Sequence, residues 1–110
     1  MVELSLEMSD GCNLYAFIKH PEGKPVGHIH LLHGMEEHIG RYESKIQFFI
    51  EHGYVVSGHD HRGHGKTVQM NGVKGHLTDS NGFNRVVEDA YEVVTHMKTY
   101  DSTLKHILLA

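Results

Sequence analysis

The sequence predicts an α/β fold, with an opening antiparallel hairpin followed by a mostly parallel sheet. Three observations predict it. Two short opening runs alternate apolar and polar residues. Two later segments repeat apolar residues at helical spacing. Compact β-rich runs stand before, between and after those segments, so the order reads β-β-β-α-β-α-β.

Each element has its own signal. Val2, Leu4, Leu6 and Met8 alternate with Glu3, Ser5 and Glu7, the pattern of a half-buried strand. Ser9-Asp10-Gly11 is a turn signal, and Leu14, Ala16 and Ile18 then mark one face of a second strand. Pro21 to Pro25 breaks the pattern into a loop. Val26 to His33 reads as a third strand ending at Gly34. Tyr42, Ile46, Phe49 and Ile50 recur at helical spacing, with Gly53 as the stop. Tyr54 to Ser57 is a buried strand, and Gly58 to about Thr78 reads as a histidine- and glycine-rich loop. Phe83, Val86, Val87, Ala90, Tyr91, Val94 and Met97 mark a long amphipathic helix capped by Asp79, Ser80 or Asn81. Leu104 to Ala110 closes the chain as an apolar, strand-like run.

Composition narrows the function classes. At 110 residues, 39% hydrophobic and 22% charged, the chain suits one globular domain. A net charge of −4 leaves no electrostatic footprint for nucleic acid. There is no run of eighteen apolar residues, so no transmembrane segment is expected. The lone Cys12 cannot form an internal disulfide, which fits a reducing, cytoplasmic compartment. The 12 histidines would reverse the net charge if all were protonated.

In sheets of this kind, chemistry sits beyond the carboxyl ends of the strands. The loop after His33 runs Gly34-Met35-Glu36-Glu37-His38-Ile39-Gly40-Arg41. Gly34 allows a sharp turn that leaves backbone amides unpaired, able to bind an anion or a developing oxyanion. A plain strand-to-helix connection with solvated charges fits the same residues. His59, His61 and His64 lie within one short loop, and His28 and His30 face one side of a strand, so zinc is conceivable. No zinc motif with the required partners accompanies them, and no cofactor is expected. The segment Asp60 to Thr67 misses a phosphate-binding loop, because Asp60 stands where its first glycine belongs and no helical pattern follows.

His33-Gly34, followed by Glu37-His38 and Gly40-Arg41-Tyr42, resembles the α/β-hydrolase superfamily. The resemblance is nearest to its monoacylglycerol lipase and lysophospholipase group, the serine aminopeptidase-like hydrolases. Asp60-His61-Arg62-Gly63-His64-Gly65-Lys66-Thr67 resembles that group's loop after the fourth strand. Gly75-His76 and the helix around Val87 to Ala90 match a third block, in the same order. The resemblance implies that the Met35 amide is one donor of an oxyanion hole. It places Glu37, His38 and Arg41 near the polar end of a substrate site, where they orient a head group or brace the loop. His33, Gly34, Asp60, Gly63, His64 and Gly65 complete the motif set. The implied substrate is an acyl ester or lipid-like small molecule, with peripheral membrane association open.

The chemistry of such an enzyme needs a serine in Gly-x-Ser-x-Gly just after the fifth strand, with its acid and histidine later. Ser5, Ser9, Ser44, Ser57, Ser80 and Ser102 all lack that setting, and Ser57 is expected to be packed inside a strand. Cys12, at a hairpin turn, has no positioned base. Lys105 to Ala110 resembles the fifth strand itself. The expectation is an N-terminal, partial α/β-hydrolase domain over residues 1–110, truncated at the fifth strand, with all triad members after Ala110. Such a fragment would be inactive alone and could self-associate through its exposed last strand. The alternatives are a noncatalytic hydrolase-like interaction domain and a histidine-rich metal-binding module.

Overall fold

In the computed structural model, residues 1–33, 42–61, 82–100 and 103–109 are described. They form β1 (Val2–Glu7), β2 (Asn13–Lys19), β3 (Gly27–Leu32), α1 (Glu43–Glu51), β4 (Tyr54–His59), α2 (Gly82–Met97) and β5 (His106–Leu109). The strands make one mixed sheet in the order β1-β2-β4-β3-β5. β1 and β2 pair antiparallel, as do β2 and β4, while β3 pairs parallel with β4 and with β5. This is the α/β architecture that the strand–helix alternation predicts.

The hairpin turn forms as its residue types require. Gly11 sits at φ +89°, a left-handed conformation that disfavours a side chain. The Met8 and Cys12 backbones close the turn at 2.8 Å, and Asp10 Oδ1 accepts the Cys12 N–H at 3.2 Å. Gly53 ends α1 at φ +87°, and its N–H donates to the Ile50 carbonyl at 3.1 Å.

Alternation along the strands sends consecutive side chains to opposite faces. On one face Phe17, Ile29, Leu31 and Val56 pack against Ile46, Phe49 and Ile50 of α1. On the other, Leu14, Ala16, Ile18 and Val55 pack against Val93 and Met97 of α2. β2 is therefore covered on both faces, whereas β1 and β5 are the outer strands of this sheet.

Several strand boundaries and one helix face differ from the sequence expectation; β1 ends at Glu7 and β3 at Leu32, each one residue early. Gly58 and His59, assigned to a loop, belong to β4, because β2 and β3 flank them on both sides and complete their ladders. β3 starts at Gly27, leaving Val26 64% exposed. β5 starts at His106, and Leu104 packs against the α2-side core from outside the strand. On α2, Val87 and Tyr91 point outward at 54% and 74% exposure, while Asp89 and Val93 are fully buried. Periodicity scored the helix by apolarity, but Asp89 is held inside by Arg85, whose Nε lies 3.1 Å from Asp89 Oδ1. The expected helix caps Asp79, Ser80 and Asn81 lie outside the described residues.

Candidate functional site

The parallel pairing of β3 with β4 brings their carboxyl ends side by side, with Leu32 opposite His59. The next residues, His33 on one strand and Asp60 and His61 on the other, are all buried. The His61 N–H donates to Nε2 of His33 at 2.9 Å. That nitrogen accepts, so the ring proton of His33 sits on Nδ1. A carbonyl can only accept, so Nε2 of His61 carries a proton and donates to the His33 carbonyl at 3.1 Å. The two rings lie 4.2 Å apart between centroids. Asp60 Oδ1 stands 3.7 Å from His33 Nε2, and the Asp60 N–H donates to the Tyr15 carbonyl at 2.9 Å. The point where the chain leaves β3 is thus fastened to β4 and, through Asp60, to β2. Tyr15 in turn donates to Glu3 at 2.8 Å, and burial together with this carboxylate pushes its phenol up.

Below this clamp runs a buried polar row on the α2 face. Ser57 Oγ lies 2.7 Å from both His28 Nε2 and His30 Nδ1. A hydroxyl supplies one proton, so at least one of these imidazoles donates to it. His30 Nε2 lies 2.9 Å from His59 Nδ1. His59 Nε2 is buried with no hydrogen-bond partner among the described residues. Burial pushes His30 down to about 3, helped by the neighbouring imidazoles of His28, His61 and His106. Burial first, and then His30, His61 and His33, also push His59 well below the ordinary range. Both rings are therefore neutral at neutral pH. Sealed from solvent, they hold the strands together and are not placed to move a substrate proton. Both nitrogens of His30 are already engaged, and among the described residues no group of three or more side chains could hold a metal ion.

The third sequence block anchors the far end. Arg85 of α2 meets Asp89 at 3.1 Å, Glu88 at 2.9 Å, Asp10 of the hairpin turn at 3.6 Å, and Glu92. Glu92 Oε1 also accepts the Ser9 N–H at 2.9 Å, so α2 is tied to the β1–β2 turn.

With this geometry in place, likeness to known proteins decides the family. The family described as "Serine aminopeptidase, S33" matches residues 23–110. The chain belongs to this serine aminopeptidase family of α/β hydrolases. A monoacylglycerol lipase of Mycolicibacterium smegmatis is 38% identical over 89 residues, which are 81% of this chain and 30% of that protein. A monoglyceride lipase homolog of Monkeypox virus is 35% identical over 103 residues, 87% of this chain and 34% of that one. The crystal structure of a thermostable carboxyl esterase from Bacillus coagulans, in complex with glycerol, superposes with a TM-score of 0.90 at 33% identity. It covers 97% of this chain and 34% of that one. The chain spans about a third of the length of these relatives.

Within the serine aminopeptidase pattern, the structure brings together two of the sequence-assigned residues, His33 and Asp60. Gly34, Met35, Glu37, His38, Arg41, Gly63, His64 and Gly65 lie outside the described residues. Ser57 is packed in its strand at 0% exposure, as its place in the sequence predicts. The clamp between His61 and His33 was not legible beforehand, because it pairs a ring with a backbone amide 28 positions away. The row of His28, His30, Ser57 and His59 did carry a signal. All four fall at period two on adjacent strands, but the glycine and histidine at 58 and 59 carry loop composition in the sequence.

Proposed function

We propose that this chain is part of a carboxylic-ester hydrolase acting on acyl esters of the monoacylglycerol or lysophospholipid type. In this reading residues 1–110 are one partial α/β-hydrolase domain. The observation that carries it is the His33–His61 clamp at the ends of β3 and β4, directly before Gly34 and Met35. A loop that offers a backbone amide to an oxyanion needs a rigid base, since preorganised donors lose less on charge development. The 33% identity to a glycerol-bound esterase and the 38% identity to a monoacylglycerol lipase support the substrate class.

The proposed chemistry is acyl transfer to a serine. The serine oxygen attacks the ester carbonyl, a histidine takes the serine proton and passes it to the leaving alcohol, and water then releases the acid. The Met35 amide is the contribution of this chain to the tetrahedral oxyanion. Glu37, His38 and Arg41 orient the head group or brace the loop, and Asp60, Gly63, His64 and Gly65 shape the neighbouring loop. None of the serines lies in Gly-x-Ser-x-Gly, so the 110-residue chain by itself is inactive. A serine-directed phosphonate probe on the chain, beside a protein that continues past Ala110, tests this. Labelling of the longer protein alone is the expected result.

A specific observation favours association as a second property. Ile107, Leu108 and Leu109 of the outer strand β5 are 39%, 56% and 37% exposed. Among the described residues no strand pairs with the outer edge of β5, and an apolar strand with such an edge recruits another. Among the described residues no helix is long and apolar enough to cross a membrane. A cytoplasmic setting rests on the single Cys12.

A further inference from the structure

We propose that the buried imidazole row of the central strands is an acid-sensitive latch that releases β5 from β3 and opens the cavity between β5 and the end of α2, while the β1–β2 hairpin and the α2 residues packed on it stay folded. This does not depend on the ester-hydrolase reading.

The geometry of the row points one way. His30 borders a cavity of about 190 Å³ walled by Val94 and Met97 of α2, by Lys98 just after it, and by His106 and Leu108 of β5. His28 lies directly opposite His106 in the β3–β5 ladder, with ring centroids 4.6 Å apart. From β4, Ser57 and His59 bond to His30, and His61 follows at the strand end. On the β2 side the neighbours opposite Ser57 and His59 are Ile18 and Ala16, both apolar and closely packed. Among the described residues the groups facing His30 are therefore imidazoles, a hydroxyl and apolar side chains, with the exposed Lys98 at the cavity wall. Buried carboxylates near the sheet are engaged elsewhere, Asp60 beside His33 and Asp89 on Arg85.

Among the described residues, a proton added to His30 or His59 thus finds no opposite charge, and the neighbouring imidazoles oppose it. Such a charge must be hydrated. Water's shortest route is the existing cavity, between α2 and β5. β5 is also the weakest element there, with four residues paired along one edge and mostly exposed.

The sign of the effect follows from the closed state. His30 is held down at about 3, and His59 well below the usual range, first by burial and then by neighbouring imidazoles. A hydrated, open state returns each to about 6.5. Above that pH both states are neutral and opening is insensitive to acid. Below it the open state takes up protons that the closed state refuses. Each ring then multiplies the opening constant by up to about tenfold per pH unit, and the two together by up to about a hundredfold.

Hydrogen exchange by mass spectrometry on the full chain from pH 7 to 5, corrected for intrinsic exchange, tests the latch. The peptide over residues 106–109 should lose protection steeply below pH 6.5, while residues 2–7, 13–19 and 90–97 keep theirs. His30→Gln should lower the slope by up to about tenfold per pH unit. His59→Gln provides the same comparison if the first variant fails to fold. Equal loss across the hairpin and β5, no dependence on pH, or an unchanged slope in the folded variant would overturn the proposal.

Discussion

The His61 backbone N–H donates to Nε2 of His33 at 2.9 Å, and the His61 ring donates back to the His33 carbonyl at 3.1 Å. Two residues 28 positions apart thus exchange ring-to-backbone bonds across the ends of parallel strands. Exchange of this kind fixes both the separation and the register of the two loop bases. His33→Phe keeps a ring in the site but removes the acceptor, leaving a buried N–H unsatisfied. The expected loss is about 1–3 kcal/mol of unfolding free energy. Urea denaturation followed by circular dichroism measures it, and an unchanged midpoint would contradict the clamp.

Ser57 gives a second test inside the sheet. Its hydroxyl is the shared partner of His28 and His30, and it is fully buried. Ser57→Ala leaves two imidazole nitrogens facing a methyl group. A loss of about 1–3 kcal/mol is expected, larger than for an ordinary surface serine. Nitrogen chemical shifts of the two rings should change with it. If stability and shifts both match the parent chain, the hydroxyl is not the bridge.

How far the sequence foretold this structure depends on what each signal encodes. The hairpin was legible from Leu14, Ala16 and Ile18, whose period of two maps directly onto a buried face. Gly53 was legible because few other residues tolerate its φ of +87°. The inward face of α2 was misread at Val87 and Tyr91, since hydrophobic periodicity does not count a buried Asp89 with a partner. The end of β4 was misread because glycine and histidine resemble loop residues, although Gly58 is paired to strands on both sides. Side-chain ladders such as His30 to His59 depend on register between distant segments, which one strand's pattern does not carry.

Arg85 and Asp89 make the strongest stability prediction. Asp89 is fully buried, while the Arg85 side chain is 14% exposed and bonds it at 3.1 Å. Arg85→Met keeps the aliphatic stem and takes the guanidinium away from the buried carboxylate. A loss of about 3–5 kcal/mol is expected, enough to unfold a chain of ordinary stability. The double variant Arg85→Met with Asp89→Leu should recover much of this, because the buried carboxylate is removed together with its guanidinium. Glu88→Ala, at a side chain 63% exposed, should cost under about 1 kcal/mol. Thermal melts of the three variants separate these outcomes.

Association through β5 is a matter of edge chemistry. β1, the other outer strand, carries Glu3 and Glu7, whereas β5 presents Ile107, Leu108 and Leu109. Charge on an edge discourages strand pairing, and apolar surface promotes it. The chain should therefore sediment as dimers or larger species as concentration rises. Leu108→Lys, at a position 56% exposed, should shift it towards monomer without unfolding it. A monomeric parent chain at every concentration would exclude this surface as an interface.

The final prediction concerns chemistry that the chain should lack. Ser57, the serine nearest the centre of the sheet, is sealed at 0% exposure, and its hydroxyl is engaged by two imidazoles. His30 and His59 are equally enclosed, so no described histidine of the row can reach a substrate carbonyl. A short-chain p-nitrophenyl ester should be hydrolysed no faster than by free imidazole at the same histidine concentration. Ser57→Ala should leave that background rate unchanged, even where it lowers stability. Saturable turnover in the parent chain that disappears in Ser57→Ala would place a nucleophile where the packing leaves no room for a substrate. It would also overturn the proposal that the 110-residue chain is inactive by itself.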